Sequence, residues 1–273
     1  MLIKGLSAQA AISGIIVALH LSTTVPAEAF DTSRIEDPAV RACAERALPS
    51  DTAQQLQKVE VVGKNGYVRE SIREMYWRRS ENNDSKMLVR VLEPIDDKGV
   101  AVLIDDDSEK NLVSYMSYSP KLKRVRRVTG KSFFGSILGT DFTYEDFSYF
   151  YRVDDREQVT RVEDAVIDDH PAYVLEAVKP GDNSNYSLVR SFIDKDVCLP
   201  VRTEFIGPNG EVRKELILDR EQIKQVDHHW VPYLSTMRDL KLGTHSVLHV
   251  VEVEIDPDLR EGLFEISELK RGN

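Results

Sequence analysis

The chain has 273 residues, 41% hydrophobic and 30% charged, with a formal net charge of −10. Those values describe an ordinary globular protein, large enough to bury a sizeable core in one large domain or two small ones. The acidic balance excludes a general nucleic-acid binder, which needs a basic face. At the N-terminus, Lys4, an apolar run from Ala11 to Leu19, and Ala27-Glu28-Ala29 before Phe30 give the charged region, short hydrophobic region and small-x-small site of a secretory signal peptide. The apolar run is too short for a permanent membrane span, and no lipobox cysteine follows it. Residues 1–29 are therefore expected to be a signal peptide cleaved after Ala29, and residues 30–273 an exported domain. An uncleaved N-terminal anchor is the alternative. Loss of Lys4 and Glu28 removes one charge of each sign, so the mature chain keeps the charge of −10.

Asp37 to Leu48 has helix-forming composition, with Pro38 near the first turn. Val40, Cys43, Ala44 and Ala47 fall at helical spacing and form an apolar stripe that should lie on a sheet. The chain has two cysteines, Cys43 and Cys198. An oxidising compartment permits a disulfide between them, stapling this helix to a distant strand. Two separate thiols are equally compatible with the sequence.

From Leu56 onward the pattern is that of strands. Val59 and Val61 alternate with polar residues, Lys64-Asn65-Gly66 makes a hairpin turn, and Tyr67 to Trp77 continues the alternation. Met87 to Leu92, Val100 to Ile104 and Leu112 to Tyr118 follow. Asp105-Asp106-Asp107 reads as a solvated turn and lacks the glycine and distal glutamate of a calcium loop. Later strands are expected at Val159 to Val166, Ala172 to Val178, Tyr186 to Ile193, Leu199 to Ile206, Val212 to Leu218, Trp230 to Leu240 and Ser246 to Ile255. About eleven short strands with turn residues between them predict a mainly β protein built on an antiparallel sheet, sandwich or barrel rather than β-α-β units. Val201, Thr203 and Phe205 alternate with Arg202 and Glu204, so one face is wet and one buried. No linker interrupts the pattern, and a single domain is expected.

The stretch from Tyr118 to Tyr149 stands apart. Lys121, Lys123, Arg124, Arg126 and Arg127 surround Leu122, Val125 and Val128. An almost uncharged loop follows, with Gly130, Phe133, Phe134, Gly135, Ile137, Leu138 and Gly139. Asp141 is placed to cap a short helix through Phe142, Tyr144 and Phe147. An apolar loop of this kind should cover something or be covered. Two readings fit it: a packed loop, or a mobile flap beside a greasy cavity. The cations fit a solvated outer face with acidic cross-strand partners, or contact with anionic lipid headgroups or an acidic partner.

SPKLKRVRR, followed by the glycine-rich turn and GTDFTYEDF, resembles the signature of outer-membrane lipoprotein-sorting proteins. These are LolA-like periplasmic proteins, often encoded beside transporters of the resistance-nodulation-division type. The resemblance runs from about Leu56 to Leu269. It implies a single curved antiparallel sheet, an incomplete β-barrel with short helices as a lid, holding acyl chains on its concave face. The segment around Cys43 lies outside the resemblance.

No G-x-S-x-G, H-E-x-x-H, P-loop or dinucleotide fingerprint is present. His228 and His229 point to opposite sides of a strand. His245 and His249 share a face but stand about 13 Å apart. No enzyme, metal or cofactor is therefore expected. The leading expectation is a carrier for a lipid, lipoprotein acyl chains or another hydrophobic molecule, handing cargo to an outer-membrane acceptor or a transporter. Phe133, Phe134, Ile137 and Leu138 are the flap candidates. Met116, Tyr118, Phe142, Phe147, Leu188, Phe192 and Phe205 are the candidate cavity wall. The rival is an accessory protein that docks on an inner-membrane transporter of that type and carries nothing. It would have a filled interior.

Overall fold

The structure, a computed structural model, describes residues 37–46, 51–80, 84–107, 112–149, 158–178 and 184–271. The expected signal peptide and its cleavage site fall outside the described residues. The helical stripe forms α1 (Pro38–Arg46). The alternating runs form β1 (Thr52–Val62), β2 (Val68–Arg79), β3 (Ser85–Glu93), β4 (Ala101–Asp107), β5 (Leu112–Ser119), β6 (Arg124–Arg127), β7 (Gln158–Ile167), β8 (His170–Val178), β9 (Leu188–Asp194), β10 (Pro200–Ile206) and β11 (Val212–Leu218). They continue as β12 (Ile223–Val226), β13 (His229–Pro232), β14 (Leu234–Asp239) and β15 (Thr244–Ile255).

Among the described residues, thirteen strands make one antiparallel sheet in the order β6-β5-β4-β3-β2-β1-β15-β14-β11-β10-β9-β8-β7. The mainly β, open-sheet expectation holds. The strand number exceeds about eleven partly because β12 was not seen in the sequence. In addition, the run Trp230–Leu240 breaks at Tyr233. Pro232 ends β13, which pairs only with β12, while β14 joins the large sheet. A proline has no N–H for a ladder and belongs at such an edge.

The sheet consists of two meanders, β1–β6 and β7–β15, that meet where β1 pairs with β15. Consecutive strands β6 and β7 therefore stand at opposite edges, and the chain between them must travel the full width of the sheet. Its described part runs over one face, called here the crossed face. Paired residues share a face and successive residues alternate, so the register assigns each side chain. The crossed face carries Val102 and Ile104 of β4, Tyr115 of β5, Phe205 of β10, Leu216 of β11 and Met237 of β14. The reverse face carries Arg190, Glu204, Glu215 and Arg238, one in-register row across β9, β10, β11 and β14. Arg190 pairs with Glu204 at 3.4 Å and Arg238 with Glu215 at 4.0 Å. These are the two faces expected for β10, although Glu204 on the charged one is itself only 8% exposed.

The other half of the reverse face is not wet. Residues 259–269 fold back on it, and Leu259, Leu263, Phe264 and Leu269 pack on Leu88, Ala101, Leu103 and Tyr118. Buried Arg90 ties the tail down, donating to Glu74 at 2.7 Å and to the Glu268 carbonyl at 2.9 Å. With both faces covered, Ala101, Val102, Leu103 and Ile104 are all buried, which is why β4 reads as a continuous apolar run instead of an alternation.

α1 caps the crossed face near the β7 edge. Val40 and Cys43 pack on Leu175 of β8 and Ile193 of β9. Cys43 forms a disulfide with Cys198 in the β9–β10 turn, with a Cα separation of 5.0 Å. A sheet with one unsealed apolar corner is thus closed by a short helix held by a covalent bond.

Candidate functional site

Residues 129–149 lie across the crossed face, from β4 and β5 at one end to β10, β11 and β14 at the other. Phe133 meets Tyr115 edge to face, with ring centroids 5.9 Å apart. Ile137 and Tyr144 are buried with Val102, Ile104 and Tyr115. Phe142 is buried at the other end, among Phe205, Leu216, Leu218 and Met237. Burial pushes the Tyr144 hydroxyl up to about 12, so it is a neutral wall group at physiological pH.

The short helix is present but starts later than expected. α2 (Tyr144–Ser148) is capped by Thr143, not Asp141. Thr143 and Asp146 make a reciprocal capping box: the Asp146 amide donates to Thr143 Oγ1 at 3.1 Å and the Thr143 amide to Asp146 Oδ2 at 2.8 Å. Asp141 is taken by β15 instead. Ser246 donates to its carboxylate at 2.5 Å, and the Thr244 hydroxyl donates to its other oxygen. Thr143→Ala should remove one cap bond and lower stability by about 1 kcal/mol, read as a shift in the urea midpoint without a change of slope.

The acids of this segment are not a charged outer face. Glu145 and Asp146 are 2% and 0% exposed. Glu145 accepts from Ser184 at 2.8 Å and from the Asn185 amide at 2.7 Å. Asp146 accepts from the Tyr186 hydroxyl at 2.6 Å and from Lys214 of β11 at 2.8 Å. Lys214 also donates to the Asp141 carbonyl at 2.7 Å. Burial, then the Asp146 carboxylate, pushes the Tyr186 hydroxyl far above its ordinary value, so it remains a donor. The segment is therefore pinned from inside by a satisfied polar network.

Its middle turn is pinned from β2. Leu138 and Gly139 both have left-handed backbones, φ 49° and 73°. Arg73 donates to the Leu138 carbonyl at 3.0 Å, and Arg69 to the Gly139 carbonyl at 2.7 Å. A Cβ at position 139 would push the Arg69 guanidinium aside, and the left-handed backbone there favours glycine. Beneath this turn lies a cavity of about 330 Å³ lined by Arg69, Ser71 and Arg73 of β2, Val91, Val102, Leu138 and Tyr144, among others. That is the small end of the range for ligand pockets. Burial, then the neighbouring Arg69 cation, lowers the Arg73 guanidinium to about 10; it stays charged at neutral pH.

The sequence-predicted site residues divide. Of the flap set, Ile137 is buried, Phe133 and Leu138 are partly buried, and Phe134 is 36% exposed. Only Leu138 of that set lines this cavity, which sits under the turn instead of under the two phenylalanines. Of the wall set, Phe142, Phe147 and Phe205 meet on the crossed face. Met116 and Tyr118 lie on the reverse face under the C-terminal tail. Leu188 and Phe192 pair with Ile206 and Arg202, which also places them on the reverse face. Hydrophobicity alone chose these residues, and it carries no information about face. Lys121, Lys123, Arg124, Arg126 and Arg127 are all exposed, on and beside edge strand β6. Lys121 comes within 3.9 Å of Asp97. Among the described residues, no carboxylate reaches ion-pair distance of the other four. Arg69 and Arg73 escaped the sequence reading. The available signal was cations at alternate positions on the parity of β2 that continues as Met75 and Trp77.

A family model described as an uncharacterized protein matches residues 83–271. The chain belongs to that family. No curated protein matches it. Among solved structures, a domain described as outer membrane lipoprotein-sorting from Vibrio parahaemolyticus has a TM-score of 0.75 at 22% identity, covering 85% of this chain and 97% of its own. A DUF1329 family protein from Desulfovibrio piger also has a TM-score of 0.75, at 20% identity, over 85% of this chain and 96% of its own. A LolA superfamily protein from Nitrosomonas europaea has a TM-score of 0.63 at 19% identity, over 84% and 98%. The family member described here thus shares the LolA-like fold with these proteins, over nearly their whole length.

Proposed function

We propose that this protein is a periplasmic carrier, binding a lipid, lipoprotein acyl chains or another amphiphile on the crossed face and releasing it to a membrane or partner without covalent chemistry. The observation that carries the reading is the cavity between the sheet and the crossing segment, half enclosed by Val91, Val102, Leu138 and Tyr144. Each acyl CH₂ taken out of water there contributes about 0.8 kcal/mol. The LolA-like fold and the signal-peptide pattern of residues 1–29 support the same reading. A longer chain would need the crossing segment to lift, with Phe133, Ile137 and Leu138 as its apolar underside. Lipid extraction and native mass spectrometry of the protein purified from periplasm test this. Co-purifying lipid, or uptake of a fluorescent fatty acid by the delipidated protein, is expected. Protein that is cargo-free and takes up nothing overturns it.

The accessory-protein reading is favoured by a different observation. Around Phe205, the crossed face is filled by the chain's own Phe142, Leu216, Leu218 and Met237. Failure of the uptake experiment would leave that reading standing.

The basic edge is proposed as the contact with anionic lipid headgroups. Its four cations with no carboxylate partner among the described residues, together with exposed Leu122 and Phe134, support this. Charges on an edge strand also block edge-to-edge pairing, and that role needs no membrane. Each cation near an anionic surface is worth about 1 kcal/mol. Reversing both Arg124 and Arg126 to glutamate should therefore weaken binding to phosphatidylglycerol vesicles by roughly tenfold or more at low salt. Equal binding of the variant removes the membrane role.

A further inference from the structure

Arg73 is 6% exposed, yet among the described residues no carboxylate lies within ion-pair distance of it. Its Nε donates to Ser71 Oγ at 3.0 Å and its Nη2 to the Leu138 carbonyl at 3.0 Å. Its Nη1 makes no hydrogen bond to a described residue, and the side chain lines the cavity. Arg69 lines the same cavity and is likewise without a carboxylate. Two acids share the lining, Glu70 and Asp97. Glu70 is engaged by Lys58 at 2.9 Å, and Asp97 faces Lys121 at 3.9 Å. Asp97 offsets the Arg73 charge without forming an ion pair with it, and a buried guanidinium so weakly countered is costly to keep; the Arg69 cation beside it repels it. Carbonyl bonds satisfy donors but do not neutralise charge. Val91, Val100 and Val102 on the sheet side, next to Arg73, and Leu138 of the crossing turn supply apolar lining. The cavity thus offers both cationic and hydrocarbon lining.

We propose that Arg73 and Arg69 form an anion-binding site that takes the carboxylate or phosphate of a ligand, most simply the headgroup of an acidic amphiphile whose alkyl part lies along Val91, Val102 and Leu138. The amphiphile part rests on the carrier reading; the anion site does not. A planar guanidinium fork suits both oxyanions. Because Arg73 also holds the Leu138 carbonyl, an anion seated here would compete for the guanidinium that fastens the crossing segment.

Calorimetric titration of the delipidated protein with dodecanoate, dodecyl phosphate, uncharged dodecanol and inorganic phosphate tests this, each amphiphile below its micelle concentration. The two anionic amphiphiles should bind at least about tenfold more tightly than dodecanol, the scale of one charge-assisted hydrogen bond. Arg73→Met should abolish that preference, and Arg69→Gln, at an exposed position, should weaken it by roughly threefold. Arg73→Lys keeps the charge and should retain part of it, which separates loss of the site from loss of the fold. Dodecanol binding as tightly as dodecanoate overturns the anion site and leaves the carrier reading intact. Arg73-dependent binding of inorganic phosphate, with no amphiphile bound, supports the anion site and overturns the carrier. Anion binding that is unchanged in both Arg73→Met and Arg69→Gln overturns the assignment to these residues.

Discussion

Lys214→Met is expected to lower the unfolding free energy by about 3–5 kcal/mol, the usual cost of breaking a buried ion pair from one side. Lys214 and Asp146 have side chains 4% and 0% exposed, 2.8 Å apart. Without the ammonium, the Asp146 carboxylate remains buried with only the Tyr186 hydroxyl and a backbone amide to offset its charge. The Asp141 carbonyl loses a donor as well. Urea denaturation of the single variant measures the loss. The double variant Lys214→Met, Asp146→Leu should recover part of it, because removing both charges removes the unpaired one. A loss below about 1 kcal/mol in the single variant would place the pair among ordinary surface bridges. It would mean that the crossing segment is held chiefly by Phe142 and Ile137.

The second large effect belongs to the disulfide. Cys43 and Cys198 are 155 residues apart in sequence, so the bond closes a long loop in the unfolded chain. Loop entropy puts its worth near the upper end of the usual range of about 2–5 kcal/mol. The variant Cys43→Ala, Cys198→Ala should lose that much. It should also loosen α1 more than the sheet, since Val40 and Cys43 are the side chains of α1 that the described residues bury. Hydrogen exchange would show residues 38–46 opening first, ahead of the strands. Uniform destabilisation, with α1 as protected as β9, would mean that apolar packing alone docks the helix.

Both effects concern how the crossed face is sealed, and this is where the sequence was partly legible. Phe133 to Phe147 was recognisable as a cover because so many apolar residues in a loop have no other use. That it is a strapped-down cover was not legible. The straps are Lys214, Ser246, Arg69 and Arg73, on strands far apart in the chain, and Tyr186, just ahead of β9. Asp141 fits a helix cap by local pattern, and the pattern was overridden by two hydroxyls on β15. Met116, Tyr118, Leu188 and Phe192 were grouped with Phe205 because all are apolar. Only the register divides them between two faces, and irregularities such as the one beside Phe205 shift that register.

What the residues determined unaided was the strand content, the amphipathic stripe of α1 and the anomalous composition of the segment between β6 and β7. Each follows from local spacing, because side-chain direction repeats every two residues in a strand and about every 3.6 in a helix. What only the folded chain decided was the strand order. That order sends β6 and β7 to opposite edges and so obliges the segment between them to cross the sheet. It also brings Arg69 and Arg73 beneath the Leu138–Gly139 turn. Contacts of this kind depend on pairings between residues distant in sequence, and no local period encodes them.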